Sequence, residues 1–349
     1  MAKILKNTEH KIVHLDLKGA PPKVGYLEEI IPQFHLWGAT GLLIEYEDMF
    51  PYEGEISEIS APDAYSRDDV ERILQIAAEN DMIVIPLVQT FGHLEFVLKH
   101  EKFRTLREVP SYPMALCPSN ENSLLAVKMM IDQVMSVHGN QQFFHIGADE
   151  VYHIGVCEKC KARIRLENLT PQELFFKHVK EVVSYIKEKY PSLTIIMWDD
   201  MLRSADLALL KDSGLSEIVE PMVWHYVKSF MLPPDIWQRF SSVFPTIWFA
   251  SAFKGATGSS ICVTNISYHI ENHLAWLSVQ ENVKSLFKKI RGFAITGWQR
   301  YDHYAVLCEL LPQALPSLGI MLGILSKGTF CEEIHSSVSK DLTFCHPYH

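Results

Sequence analysis

The sequence predicts a single (β/α)8 barrel, and three observations support this fold class. The chain has 349 residues, of which 48% are hydrophobic, enough to bury one large core. Eight short apolar or β-branched runs alternate with amphipathic stretches, the pattern expected of βαβ units in a parallel sheet. No Gly-x-Gly-x-x-Gly motif follows the first run, which disfavours a doubly wound dinucleotide-binding sheet. We expect the barrel to span residues 1–330 and a C-terminal tail to span residues 331–349.

Most of the eight predicted strands are apolar along their whole length, as expected for strands that are buried on both faces. They span residues 12–17, 42–46, 83–89, 143–148, 194–198, 218–224, 246–252 and 293–298. Each is followed by a predicted helix or a long loop, which favours a closed barrel over an open sheet.

Helix start and stop signals lie between these runs. Ser66 is predicted to cap a helix over residues 67–80. Residues 170–173 read Thr-Pro-Gln-Glu, a capping box with proline at the first helical position, and the helix that follows is predicted to end before Pro191. Further helices are predicted over residues 120–137, 268–290 and 311–325.

The charge balance bears on the class of partner. The chain has 32 basic and 42 acidic side chains and a formal net charge of −10. Proteins that bind nucleic-acid backbones or anionic membranes need clustered positive charge. The composition therefore argues against nucleic acid and membrane surfaces as partners.

The N-terminal residues lack an apolar run of signal-peptide length, and no segment approaches the length of a membrane span. Seven cysteines, an odd number scattered from Cys117 to Cys345, do not form a disulfide framework and fit a reducing compartment. We therefore expect a cytoplasmic or nuclear protein. The glycosylation sequons at Asn168 and Asn265 are expected to remain unused.

Function in such a barrel is expected where the strands end at their C-terminal edge. The predicted strand ends carry carboxylates, histidines and three of the seven tryptophans. Aromatic rings pack on the apolar faces of sugars while charged groups bind hydroxyls, so this collection predicts a carbohydrate site. The alternative is that polar residues gather at strand ends in any barrel because strands stop at the surface.

The adjacent carboxylates Asp149 and Glu150 carry the most information. A conventional glycosidase places two carboxylates about 5 to 9 Å apart on either side of the scissile bond. Successive strand residues instead point to opposite faces, but at a strand terminus the backbone turns and both could enter a pocket from one side. This arrangement suits a reaction in which the substrate's own 2-acetamido oxygen is the nucleophile and the protein orients it.

The run His145-Ile-Gly-Ala-Asp-Glu150 resembles the His-x-Gly-x-Asp-Glu signature of family 20 β-N-acetylhexosaminidases, and Phe91-Gly-His93 resembles the Pro-Gly-His of that family. The similarity covers nearly the whole barrel. It is closest to the hexosaminidase D branch, whose members have segments similar to residues 14–22, 45–52, 252–257 and 297–303.

The resemblance implies an exo-β-N-acetylhexosaminidase that cleaves terminal non-reducing GalNAc or GlcNAc through an oxazoline intermediate with retention. Glu150 would be the general acid and base, with a pKa raised by a partly apolar pocket. Asp149 would accept a hydrogen bond from the acetamido N–H group. No cofactor is expected, the partner would be a glycoconjugate or oligosaccharide, and the resemblance also suggests a homodimer.

The resemblance further implies a set of substrate-binding residues. Trp198, Trp224 and Trp298 would enclose the acetamide methyl, Tyr226 would hold its carbonyl oxygen, and His93 would belong to the network behind Glu150. Lys18 and Arg300 stand where the family usually has an arginine and a glutamate, so the end of the site that binds hydroxyls is altered. The other candidates for substrate contacts are Asp16, Glu45, Asp199 and Asp302.

Two other kinds of function compete with this interpretation. A metal-dependent hydrolase could use His14, Asp16, His93, His145 and Asp199 as ligands. Cys157 and Cys160 have zinc-knuckle spacing, but no second pair completes the motif, so they are predicted to be free thiols. A non-catalytic sugar-binding protein is the second competitor, although a pure binder has no need of both Asp149 and Glu150.

Overall fold

Eight parallel strands close into a barrel in the computed structural model, which describes residues 9–344. The strands are β1 (His10–Asp16), β2 (Gly41–Glu45), β3 (Ile83–Leu87), β4 (Phe143–His145), β5 (Thr194–Trp198), β6 (Glu220–Trp224), β7 (Thr246–Lys254) and β8 (Lys289–Gly297). Each strand pairs with its neighbours in the chain, and β8 pairs with β1 to close the barrel. The predicted fold class is therefore confirmed.

Side chains that point into the barrel form their own apolar cluster, separate from the larger core between the strands and the helices. The inner cluster includes Ile12, Leu43, Ile85, Phe143, Ile196, Met222, Trp248 and Ala294. Because every strand is buried on both sides, its sequence is apolar almost without interruption. This explains why all eight strands were recognisable in the sequence.

The longer helices lie between the strands and after the last one. They are Val24–Leu36, Arg67–Glu79, Glu121–His138, Glu158–Glu167, Pro171–Lys189, Ile266–Val283, Leu311–Lys327 and Glu332–Phe344. The loop after β3 adds the short helix Glu95–Leu98, the 3-10 helix Glu101–Leu106 and an antiparallel hairpin of Arg107–Val109 with Tyr112–Leu116. Other short helices are Asp200–Arg203, Leu207–Asp212 and Ile236–Ser241, with 3-10 turns at Glu47–Met49, Gly54–Ile59 and Leu215–Glu217.

Both predicted helix caps are present. The Ser66 hydroxyl accepts a hydrogen bond from the Asp69 N–H group at 3.1 Å, and the Asp69 carboxylate accepts one from Ser66 N–H at 2.9 Å. Thr170 and Glu173 form the same reciprocal pair. These bonds satisfy N–H groups that have no partner within the helix.

Several predicted boundaries differ from the structure by a few residues, and the end of one helix differs most. The helix predicted over residues 268–290 ends at Val283, and residue 289 already belongs to β8. Lys289 pairs with Thr246 of β7, so the chain must leave the helix early enough to turn back and join the sheet. Sheet pairing therefore overrides the local preference for helix at this point.

The last described segment is a helix that packs on the outside of the barrel. Ile334 and Val338 of helix Glu332–Phe344 are each 4% exposed. The Trp37 indole N–H group donates a hydrogen bond to the Asp341 carboxylate at 3.0 Å. Among the described residues, no helix is long and apolar enough to cross a membrane.

Candidate active site

A cavity of about 380 Å³ opens at the C-terminal ends of the strands. Eleven of the thirteen predicted site residues line it, namely Lys18, Glu45, His93, Asp149, Glu150, Trp198, Trp224, Tyr226, Trp298, Arg300 and Asp302. Glu47, Gln89, His225 and His303 also contribute to the wall. Predicted residues Asp16 and Asp199 lie outside the wall of this cavity.

The turn after β4 brings the two adjacent carboxylates to one side of the cavity. The backbone dihedral φ is +62° at Gly147, +65° at Ala148 and +49° at Glu150, so the chain leaves the strand conformation abruptly. A Cβ atom at Gly147 would lie 1.9 Å from the Gln89 side-chain oxygen, which explains why glycine is required there. Left-handed conformations at non-glycine residues cost about 1 kcal/mol or more each and persist where the surroundings enforce them.

His93 contacts both carboxylates. Its Nε2 atom lies 3.2 Å from Asp149 Oδ2 and 3.2 Å from Glu150 Oε2. The turn that carries His93 approaches the Asp149 backbone so closely that a Cβ atom at Gly92 would lie 2.3 Å from the Asp149 carbonyl oxygen. Residues from the loops after β3 and β4 are thus held together around a single imidazole.

His93 and Glu150 shift each other's pKa. Burial lowers the pKa of His93, but the carboxylates of Asp149 and Glu150 outweigh it and hold this pKa well above its usual range. The hydrogen bond from His93 lowers the pKa of Glu150, while burial opposes this effect. We expected the pKa of Glu150 to be raised by an apolar pocket, and in this arrangement the shift has the opposite sign. The proton therefore rests on the imidazole.

Two further residues hold Glu150 in place. The Glu150 backbone N–H group donates to Asp200 Oδ2 at 2.8 Å, and the Tyr152 hydroxyl donates to Glu150 Oε1 at 2.6 Å. The indole N–H of Trp224 donates to the other oxygen of Asp200 at 3.2 Å. Burial raises the pKa of Asp200 to about 7, and the charge of Asp149 adds to this shift. Sequence reasoning assigned neither Asp200 nor Tyr152 to the site.

The two predicted residues outside the wall bind protein groups instead. Asp199 is fully buried and forms an ion pair with Arg203 at 2.5 Å, and it accepts a hydrogen bond from the backbone N–H of Trp224 at 3.2 Å. Asp16 Oδ1 lies 2.7 Å from the Lys18 ammonium group, and its Oδ2 accepts from the Gln299 N–H group at 2.7 Å. Both carboxylates therefore support residues of the wall from behind.

Aromatic rings form another part of the cavity wall. The ring centroids of Trp198 and Trp298 are 6.0 Å apart, and those of Trp224 and Tyr226 are 5.3 Å apart with nearly parallel planes. Tyr226 also meets Trp298 edge to face at 6.4 Å. Burial raises the pKa of the Tyr226 phenol, so the hydroxyl remains protonated and can donate a hydrogen bond.

A chain of polar contacts runs along the floor of the cavity. The Gln89 amide donates to Glu45 Oε1 and to Asp149 Oδ1, both at 3.2 Å. The Lys18 ammonium group lies 3.3 Å from Glu47 Oε1 and 5.6 Å from the centre of the Trp298 ring. Burial lowers the pKa of Lys18, but the neighbouring carboxylates outweigh it and raise this pKa, so the side chain stays charged.

The loop after β8 carries the remaining predicted residues. The Arg300 guanidinium group donates to the Ala305 carbonyl oxygen at 2.5 Å. Asp302 Oδ1 accepts hydrogen bonds from the N–H groups of Tyr304 and Ala305, both at 2.9 Å. Part of the hydrogen-bonding capacity of both side chains therefore serves to hold their own loop at the rim.

The five residues of the metal-hydrolase alternative do not gather at one point. His14 Nε2 lies 3.1 Å from Glu45, and Asp199 pairs with Arg203. Within residues 9–344, two groups have the close spacing of metal ligands, and His93 is the one member of the five that belongs to either. That group is His93, Glu95 and His303; the other is Glu108, Cys117, Cys157 and Cys160.

Comparison with known sequences places the chain near one family. Residues 41–230 match the catalytic domain of glycosyl hydrolase family 20. Hexosaminidase D of Bos taurus is 47% identical over 335 residues, which cover 95% of this chain and 96% of that protein. Hexosaminidase D of Homo sapiens is 47% identical over 331 residues, which cover 94% of this chain and 68% of that protein.

Solved structures share the barrel at much lower identity. The β-N-acetylhexosaminidase from Bacteroides fragilis NCTC 9343 aligns with a TM-score of 0.69 and 16% identity, over 97% of this chain and 71% of that chain. Dispersin B aligns with a TM-score of 0.58 and 13% identity, over 91% of this chain and 99% of that chain. At such low identity, the likeness concerns the fold alone.

Proposed function

The chain belongs to glycosyl hydrolase family 20, and we propose that it removes terminal β-linked N-acetylhexosamines from the non-reducing ends of glycoconjugates or oligosaccharides. It is a glycosidase of the β-N-acetylhexosaminidase class. The observation that most supports the proposed mechanism is the contact of one imidazole with both Asp149 and Glu150. Two carboxylates on the same side of the cavity suit a reaction in which the nucleophile comes from the substrate.

In the first step, the carbonyl oxygen of the 2-acetamido group attacks the anomeric carbon and the glycosidic C–O bond breaks. Glu150 gives its proton to the departing oxygen, so the leaving group departs as an alcohol. Asp149 accepts a hydrogen bond from the acetamido N–H group and stabilises the positive oxazolinium ring that forms. Burial keeps the Tyr226 hydroxyl protonated, and this hydroxyl would donate a hydrogen bond to the acetamide oxygen during the attack.

In the second step, Glu150 acts as a base and takes a proton from a water molecule that attacks the anomeric carbon. The bond to the acetamide oxygen breaks, the acetamide is regenerated and the sugar leaves with its original β configuration. The two inversions together give retention. No protein atom forms a covalent bond with the sugar in this scheme.

The aromatic side of the cavity would hold the acetamide group. Trp198, Trp224 and Trp298 provide a three-sided apolar wall that would surround the acetamide methyl. Asp200 accepts a hydrogen bond from the Trp224 indole and another from the backbone of Glu150. Asp200 would therefore fix the position of Trp224 relative to Glu150.

A second set of wall residues would select the sugar. We propose that Lys18, Glu45, Arg300 and Asp302 contact its hydroxyl groups, with Asp16 and Asp199 positioning Lys18 and Trp224 from behind. A lysine presents a point charge where an arginine would present a planar fork, so a single-point contact to one hydroxyl is expected. We also propose a cytoplasmic or nuclear location, which the odd number of cysteines supports, and a homodimer by family resemblance.

Hydrolysis of chromogenic β-GlcNAc and β-GalNAc substrates tests the proposal. Replacement Glu150→Gln removes the transferable proton, and Asp149→Asn removes the acceptor for the acetamido N–H. Each variant is expected to lower kcat by roughly two or more orders of magnitude. Azide should rescue Glu150→Gln on substrates with a good leaving group. Such a leaving group needs no proton from an acid, and azide attacks the intermediate without the base that water requires.

Glu158→Gln is a matched control because Glu158 begins the helix after the same loop, is exposed and pairs with Lys161. A thiazoline mimic of the cyclised intermediate should inhibit the wild type strongly. Failure of the thiazoline to inhibit would contradict the substrate-assisted mechanism. A folded wild type that hydrolyses neither substrate would contradict the proposed activity and favour a sugar-binding protein.

A further inference from the structure

Three cysteines and a glutamate meet beside the loop that carries Glu150. Cys117 Sγ lies 3.4 Å from Cys157 Sγ and 3.5 Å from Cys160 Sγ, and Cys160 Sγ lies 3.1 Å from Glu108 Oε2. The ligand atoms of all four residues lie within 4.8 Å of one another. None of them lines the candidate active site.

The spacing of these atoms fits a tetrahedral zinc site. Two sulfur ligands that lie 2.3 Å from Zn²⁺ at the tetrahedral angle are about 3.8 Å apart, close to the separations between these sulfur atoms. Three thiolates with a fourth ligand form a closed coordination shell, which is typical of structural zinc. The four ligands come from two segments, residues 108–117 and 157–160, separated by β4.

Burying the Glu108 carboxylate in this cluster without a cation would cost free energy. Glu108 is 1% exposed, Cys117 is 2% exposed and Cys160 is fully buried. Within residues 9–344, the hydrogen-bond partners of the Glu108 carboxylate are the N–H groups of Val156 and Cys157 and the Cys160 thiol. A buried carboxylate is normally paired with a cation or bound to a metal, and a divalent ion at the centre would supply that charge.

A disulfide explains the cluster less well. A disulfide requires a sulfur–sulfur distance of about 2.05 Å and joins only two of the three thiols. Cys117 lies almost equally close to both other cysteines. The carboxylate would also remain without a cation. Soft thiolate ligands in a tetrahedral arrangement select zinc over calcium or magnesium.

We propose that Glu108, Cys117, Cys157 and Cys160 bind a structural Zn²⁺ ion. On binding, each thiol releases its proton to solvent and becomes a thiolate ligand, with no change of oxidation state. The ion joins the hairpin after β3 to the loop after β4. Glu150 and Tyr152 lie on that loop, and His153 of the same loop stacks on Tyr112 of the hairpin with ring centroids 5.4 Å apart. The metal therefore holds the loop that carries the acid.

The test measures metal in the full chain, purified without chelators and passed through gel filtration. Elemental analysis is expected to find about one zinc ion per chain, and Cys160→Ser is expected to retain less than about a tenth of that amount. Cys262→Ser is the matched control, because Cys262 is an exposed cysteine outside the cluster and its loss should leave the zinc content unchanged.

Two measurements on the wild type remain informative if Cys160→Ser does not fold. Refolding with Co²⁺ in place of zinc should give a sulfur-to-cobalt charge-transfer band in the near ultraviolet. Three thiols should become reactive with a thiol reagent only after zinc is removed. Folded, active wild type that holds no zinc after incubation with zinc salts would overturn the proposal, as would a disulfide within the cluster or a bound iron–sulfur chromophore. None of these results depends on the proposed mechanism of sugar hydrolysis.

Discussion

His93 determines where the proton rests in the unliganded site. Its pKa is raised well above the usual range and that of Glu150 is lowered, so the imidazole is charged and the Glu150 carboxylate is ionised. Catalysis requires the same proton on Glu150. The two arrangements contain equal numbers of protons and differ only in whether the proton lies on the imidazole or on the acid. His93 is thus a positioning residue that stores the proton beside the acid.

Replacement His93→Gln is expected to move the alkaline limb of the kcat/KM profile to lower pH. In the wild type, activity is lost as pH rises through the raised pKa at which His93 gives up its proton. Without the imidazole, only a carboxyl group can hold that proton, and its pKa lies lower. The limb should therefore shift by more than about one pH unit, as measured by initial rates across a pH series.

His100→Gln provides the control for this shift. His100 pairs with Glu58 on the surface and does not line the cavity, so its loss should leave the profile unchanged. An alkaline limb that stays in place in His93→Gln would show that the proton is not shared through the imidazole.

Single residues show how far sequence reasoning reaches. The geometry of strand ends allowed Asp149 and Glu150 to enter a pocket from one side, and both residues line the cavity. Asp199 was chosen over its neighbour Asp200, yet Asp200 holds Glu150 and Asp199 pairs with Arg203. The backbone turns into a helix at Asp200, and the alternation that decides which neighbour faces the cavity ends there.

At the scale of elements, the turns after β3 and β4 depend on each other. Gly92 faces the Asp149 carbonyl oxygen, and Gly147 faces the Gln89 side chain. Each turn therefore needs a residue without a side chain where it touches the other. Residues 93, 147, 148 and 150 all have positive φ and lie at this junction, and the three that are not glycine are strained. Strain at these positions helps to position the carboxylates.

Replacement Gly92→Ala is expected to lower kcat by about tenfold to a hundredfold. The added Cβ would lie 2.3 Å from the Asp149 backbone oxygen, so one of the two turns must move. A displacement of about 1 Å in a catalytic group can cost about a hundredfold in rate. Steady-state kinetics with a chromogenic substrate would measure the loss.

Gly25→Ala is the matched control, because no atom lies within 4 Å of a Cβ atom at Gly25. That variant should keep full activity and gain slightly in stability, since alanine favours the helix. If Gly92→Ala retained wild-type kcat, the close contact between the turns would have no role in positioning Asp149.

Elements also differ in how readily the sequence reveals them. The helices opened by Ser66 and Thr170 were predicted because their caps are local signals. Helix Val24–Leu36 escaped notice because it begins without a side-chain cap and contains Pro32. The hairpin 107–116 and the cysteine cluster escaped for another reason. Cys117 lies 40 positions before Cys157, and only the fold brings the two together.

At the scale of the whole molecule, the barrel and its family were both predictable. The eight apolar runs predicted the eight strands of the barrel, and the His145–Glu150 motif suggested the family to which the chain belongs. The segment predicted as a tail from residue 331 has little visible pattern, yet residues 332–344 form a helix. Its position depends on contacts with the preceding helix and with Trp37, so periodicity alone did not indicate them.

The terminal helix is held by two side chains that fit against glycines. A Cβ atom added at Gly323 would lie 2.6 Å from the Ile334 side chain. A Cβ atom added at Gly319 would lie 2.8 Å from the Val338 side chain. Small residues on helix Leu311–Lys327 thus let the two helices approach closely. The contact closes the outer layer next to the first helix, where Trp37 binds Asp341.

Replacement Ile334→Ala is expected to lower the free energy of unfolding by about 2 kcal/mol or more. The shorter side chain leaves a packing cavity, and Gly323 on the facing helix has no side chain to fill it. Ser336→Ala, on the exposed face of the same helix, should change stability by less than about 0.5 kcal/mol. Urea unfolding followed by tryptophan fluorescence would measure both. Neither residue lines the candidate active site, so kcat per folded molecule should stay constant in both variants. A loss of kcat without a loss of stability in Ile334→Ala would mean that this helix acts on the active site instead of on the packing of the barrel.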